Sequence, residues 1–130
     1  MNLRRTAALA ATAATLTSLS LAAPAAHAGD DDDNEIRRSG SCATGVWKLK
    51  AKPDDGRLEV EFEIDTNRRG QTWQVRVSDN GTRVFSGQRT TAGRSGSFSV
   101  EFKTANRAGT DVIRARATRG DTTCVGVVRY

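Results

Sequence analysis

Histidine is almost missing from this 130-residue chain, and the single copy, His27, falls in a stretch expected to be cut away. The first 28 residues have the parts of an export signal. Arg4 and Arg5 give a positive start, Ala7 to Ala22 is a mostly apolar run, and Ala26-His27-Ala28 is a small-x-small cleavage site before Gly29. A membrane anchor is the rival reading, but the run is short, rich in alanine and threonine, and followed by acidic residues instead of a positive stop-transfer cluster. The mature protein is therefore expected to be secreted, without a membrane span. The export route stays open between the general and the twin-arginine exporter. Without imidazole, histidine-dependent triads and histidine-bearing zinc sites are excluded. Two cysteines alone cannot close a structural zinc site, and no carboxylate-pair or serine–lysine motif stands out. The sequence thus argues against an enzyme and calls for no metal or cofactor.

Cysteine is scarce too, and its placement is informative. Cys42 and Cys124 are the only copies and do not form a C-x-x-C redox motif. An exported chain matures where disulfides persist, so the two are expected to be bonded. Closing a loop of that length would stabilise the fold by about 4.5 kcal/mol in the chain-entropy description. Ahead of Cys42, the run Gly29-Asp30-Asp31-Asp32-Asp33-Asn34-Glu35 repels itself and offers nothing to bury, so residues 29–41 are expected to be a disordered acidic leader. The glycine and terminal glutamate of a calcium loop are absent from it. Residues 42–130 are left as one domain with one modest core.

No stretch of that domain keeps a helical period, whereas a period of two runs through nearly all of it. Trp47, Leu49 and Ala51 alternate with lysines, and Leu58, Val60, Phe62 and Ile64 alternate with acids. If Pro53-Asp54-Asp55-Gly56 is a four-residue turn, Lys50 faces Glu59, Lys48 faces Glu61, and Leu49 faces Val60, with the charges forming a solvated outer ladder. Trp73, Val75 and Val77 lead to Asn80-Gly81, a strong hairpin signal. That register sets Val77 against Val84 and puts Phe85 on the outer face against Arg76. Phe98, Val100 and Phe102 form another strand. Reading Gly120-Asp121 as a two-residue turn pairs Ala117 with Cys124, Ala115 with Gly126 and Ile113 with Val128, all inward. The tripeptide Arg119-Gly120-Asp121, an adhesive ligand in some proteins, thereby has a sufficient structural reason to exist.

Seven strands with regularly spaced turns predict an all-β, seven-stranded antiparallel sandwich. Strand count, hairpin positions and the inward Trp47 and Trp73 resemble fibronectin type III and immunoglobulin-like modules. The resemblance implies sheets ordered A-B-E and C′-C-F-G. The corner expected at Asn106 to Ala117 lacks the tyrosine usual in such modules.

Charge offers the functional lead. The chain carries +5; losing Arg4 and Arg5 leaves +3, and residues 29–38 hold five acids and two arginines, so the domain beyond them carries +6. Arginine is the better fork for carboxylate, sulfate and phosphate groups. The hairpins point Arg76, Arg114 and Arg116 outward from one sheet beside Phe85, and gather Arg68, Arg69, Arg94 and Arg119 on loops at one end. An anionic partner is expected: a cell-wall polymer, an acidic polysaccharide or an acidic protein surface. Nucleic acid is disfavoured, because Tyr130 is the only tyrosine and few aromatics are placed for stacking. A small-ligand carrier or enzyme inhibitor working through its loops is the alternative, and the charge also serves solubility.

Overall fold

The computed structural model describes residues 34–130; the expected export signal and the acidic residues up to Asp33 lie outside the described residues. The described chain is all β, with eight strands: β1 (Ile36–Cys42), β2 (Gly45–Asp54), β3 (Arg57–Asp65), β4 (Thr72–Asp79), β5 (Thr82–Thr90), β6 (Ser97–Ala105), β7 (Val112–Arg119) and β8 (Thr122–Arg129). Two antiparallel four-stranded sheets, ordered β1-β2-β3-β6 and β5-β4-β7-β8, enclose one core. Alternating side chains build it: Leu49, Ala51, Leu58, Val60, Phe62 and Ile64 from one sheet meet Trp73, Val75, Val77, Ile113, Ala115 and Ala117 from the other. Burying each of these larger apolar side chains stabilises the fold by about 1.5–3 kcal/mol against exposure.

Three expectations need correction. The strands number eight and not seven, because Ile36–Cys42, assigned to the disordered leader, is an edge strand paired along its length with β2. Alternation does not reveal it. Its core-side positions are Ile36, Arg38, Gly40 and Cys42, and only the first and last are apolar side chains. Gly40 belongs there for a steric reason: a Cβ would sit 2.8 Å from the Trp47 indole nitrogen. The same ring lies across Gly126 of β8, where a Cβ would come within 2.6 Å of it. Trp47 is thus a wedge between the sheets that needs a bare backbone on each side.

The second correction is the β2–β3 register. The turn is two residues long, Asp55-Gly56, and both have positive φ, 48° and 75°, the requirement of a type I′ hairpin. Lys50 therefore faces Glu61, Lys48 faces Glu63, and Leu49 faces Phe62, two residues away from the four-residue expectation. A shift of two preserves every face, so the charge ladder survives: Lys50–Glu61 at 2.6 Å, Lys48–Glu63 at 3.0 Å and Lys52–Glu59 at 3.4 Å. Pro53, read as turn, pairs with Leu58 beyond the end of β1, so its missing N–H faces no partner strand.

Phe85 is the third. Asn80-Gly81 turns the chain as expected, but a β-bulge follows, leaving Val84 as an extra residue and pairing Phe85 with Val77. A slip of one residue changes face. The Phe85 ring turns inward and stacks on Phe102, centroids 5.4 Å apart, and the guanidinium over it belongs to Arg89 at 5.3 Å, not to Arg76. The β7–β8 hairpin has the expected register throughout, with positive φ at Gly120 alone of its two turn residues. Cys42 and Cys124 are bonded, with Cα atoms 5.2 Å apart, and the bridge ties edge strand β1 of one sheet to edge strand β8 of the other.

Candidate functional site

Sheet pleating decides which arginines meet. On β4, Trp73, Val75 and Val77 are buried, so Gln74, Arg76 and Ser78 point outward; on β7, buried Ile113, Ala115 and Ala117 send Arg114, Arg116 and Thr118 outward. Register then sets Arg76 directly opposite Arg116, Gln74 opposite Thr118, and Ser78 opposite Arg114. Neighbouring strands contribute Arg83, which faces Ser78 across β5, and Arg129 at the end of β8. Val125 and Val127, half-buried, complete the β8 side of this face.

The five arginines of that face, Arg76, Arg83, Arg114, Arg116 and Arg129, are exposed, and no outward strand position of the sheet holds an acid. None of them has an ion-pair or hydrogen-bond partner among the described residues. The opposite face of the sandwich is different, because β2, β3 and β6 pair their charges: Lys103 lies 2.6 Å from Asp54, beside the three lysine–glutamate rungs. Lysine contacts hold the Asp54 and Glu61 carboxyls below the ordinary carboxylate range, and hydrogen bonding to Glu63 raises Lys48. One face is neutralised by its own residues, while the other presents uncompensated guanidinium groups. Between the Arg76–Arg116 and Gln74–Thr118 rungs lies a depression of about 200 Å³ lined by these four residues.

Arg68, Arg69, Arg94 and Arg119 do come to one end of the sandwich, as expected, since the β3–β4 and β5–β6 loops and the β7–β8 turn share it. The two longer loops are braced. The Thr91 hydroxyl donates to the Arg68 carbonyl at 2.6 Å, the Gly70 N–H to the Thr91 carbonyl at 2.7 Å, and the Thr66 N–H to the Gly96 carbonyl at 3.0 Å. Gly96, at φ 63°, lies so close to the Arg68 backbone that any Cβ would collide with it. Arg68 and Arg69 are thus held on a fixed ledge and belong to a different patch from Arg76, Arg114 and Arg116. Phe85 belongs to neither.

Sequence reasoning missed Arg83, Arg129 and a buried acid pair. The bulge hides the outward position of Arg83, whereas Arg129 follows inward Val128 and could have been found by continuing the alternation. Asp79 extends the inward series of β4 by one step and is fully buried, with neither carboxylate oxygen accepting a hydrogen bond. Beside it, buried Asp111 accepts from the Arg107 N–H at 3.0 Å and from the Asn80 amide at 3.5 Å. Burial first, then the Asp111 charge, raises the Asp79 pKa. A proton on Asp79 donated toward Asp111 would satisfy both groups. The described residues contain no group of three or more His, Cys, Asp or Glu placed to hold a metal ion, and no helix long and apolar enough to cross a membrane.

No family model matches the chain, and no curated protein or solved structure matches it either.

Proposed function

We propose that this chain is a small secreted interaction module of the fibronectin type III or immunoglobulin-like kind, not an enzyme, that engages an anionic partner through the outer face of β5-β4-β7-β8. One observation carries the reading: five arginines without acidic neighbours on one face, against a face behind whose four lysines each pair with an acid. A need for solubility alone is met by mixed charge on both faces; segregation of unpaired arginine to one sheet is what a polyanion requires. Strands β2-β3-β6 and β5-β4-β7-β8 follow the A-B-E and C′-C-F-G order with β1 added at one edge, which supports the module type. The disulfide suits an extracellular location. Cell-wall polymers, acidic polysaccharides and acidic protein surfaces are the partner classes of matching charge. Both tryptophans are spent on packing, Trp73 with 2% exposure and Trp47 between Gly40 and Gly126, which weighs against a loop-built ligand carrier.

Retention on an immobilised sulfated polysaccharide, eluted by a salt gradient, tests the reading. The wild-type protein is expected to bind at low ionic strength and release as salt rises. The triple variant R76Q/R114Q/R116Q should elute markedly earlier, and E59Q/E61Q on the opposite face should not. Coincident elution of wild type and the triple variant would refute the assignment.

A further inference from the structure

We propose that the depression bounded by Gln74, Arg76, Arg116 and Thr118 is a binding site for a phosphate monoester group. The inference rests on the anionic-partner reading above and names the chemistry of the group held at its centre.

The register is the starting point. Arg76 and Arg116 are a directly opposed cross-strand pair, and like charges so placed destabilise a sheet. Neither guanidinium is offset by an acid or bonded to any acceptor among the described residues. Two positive charges without a counter-charge are the complement of one dianion. A phosphate monoester carries about −1.5 to −2 at neutral pH, whereas a carboxylate or a sulfate ester carries one charge.

Geometry points the same way. One guanidinium fork satisfies a planar carboxylate by itself, while two forks on opposite sides of a depression suit the three terminal oxygens of a tetrahedral group. Gln74 and Thr118, on the next rung, add an amide and a hydroxyl that can donate from below. The Gln74 amide already donates to the Gly87 carbonyl at 3.2 Å, which holds its side chain over β5 and leaves its second N–H for a ligand. A volume of about 200 Å³ falls below the roughly 300–1,000 Å³ of sites that enclose a whole small molecule. The depression therefore suits a single charged group on a larger partner, open to solvent on the side where the rest of that partner would continue. Arg114, one outward step along β7, is placed for a neighbouring anionic group.

Titration of the exported protein with glycerol 3-phosphate, followed by the arginine Nε–Hε NMR signals, tests this. Saturable shifts are expected at Arg76 and Arg116, with affinity at least about tenfold above that for glycerol monosulfate or glutarate, since each added charge-assisted hydrogen bond is worth about that much. Affinity should fall as pH drops from 7.5 to 5, where the phosphate loses its second charge and a sulfate ester does not. R76Q, which removes one of the two opposed charges, should lose most of the preference for phosphate over sulfate; R68Q should keep it. Equal affinity for all three anions, or uniform shifts at every exposed arginine, would overturn the proposal. If that happens while salt-sensitive retention on the sulfated polymer persists, the phosphate site falls and the anionic-partner reading stands. Loss of both would remove the two together.

Discussion

Removing the disulfide should cost this domain a large share of its stability, and the structure says how much and where. Cys42 and Cys124 are 82 residues apart in sequence and join the two sheets at their edges. Releasing a loop of that length restores to the unfolded chain about 4.5 kcal/mol of conformational freedom. The C42A/C124A variant also loses sulfur that is fully buried at Cys124, so about 1 kcal/mol more is expected from lost packing. A domain of this size is usually stable by about 5–15 kcal/mol, so the variant should be marginal. Urea unfolding followed by tryptophan fluorescence reads the effect directly. With an m-value near 1.5 kcal/mol/M, the midpoint should fall by about 3.7 M. The m-value itself should rise, because an uncrosslinked unfolded chain exposes more surface. Local exchange adds a spatial check, since β1 has a sheet partner on one side only. Its amides should lose protection first after reduction. A stability loss under about 1 kcal/mol with an unchanged m-value would refute the reasoning and show that the sheets hold β1 without help.

Three further outcomes are expected. D79N should be more stable than wild type at pH values above the folded-state pKa of Asp79, by about 1–3 kcal/mol for relieving an unsatisfied buried acceptor. Because the folded-state pKa of Asp79 is raised, the stability it contributes is full at low pH and lost as pH rises through that pKa; the variant's urea midpoint should lack this decline, and an unchanged pH profile would rule the coupling out. G126A should destabilise by about 1–3 kcal/mol by thermal unfolding, since its Cβ meets the Trp47 ring at 2.6 Å, and G126A/W47L should recover part of the loss. In the β7–β8 turn, D121A should leave polymer retention unchanged, while G120A should cost about 1 kcal/mol because Gly120 has a φ of 55°; lost retention in D121A would restore the tripeptide as a recognition element.

How far the residues alone reach depends on the periodicity of each strand. Alternation from Trp47 to Ile64, from Trp73 to Val77 and from Ile113 to Val128 was enough to name the fold class, the core and the outward Arg76, Arg114 and Arg116, because a side-chain period of two is local and survives an even register error. The β2–β3 hairpin shows this: its turn was misjudged by two residues, and every face still came out right. A one-residue irregularity is not forgiven. The bulge at Val84 turned Phe85 from an expected surface aromatic into a partner of Phe102, and nothing in the composition of β5 announces it. β1 was invisible for another reason, since its fitness as a strand lies in the Trp47 ring that covers Gly40 and the β8 edge that receives Cys42. Sequence by itself determined two layers, a disulfide and an excess of arginine. Only tertiary structure decided that Arg76 stands across from Arg116 with no acid in reach, and that Asp79 is buried against Asp111. Charge neighbours on a sheet are set by pairing between strands distant in the chain, and no local pattern encodes that distance.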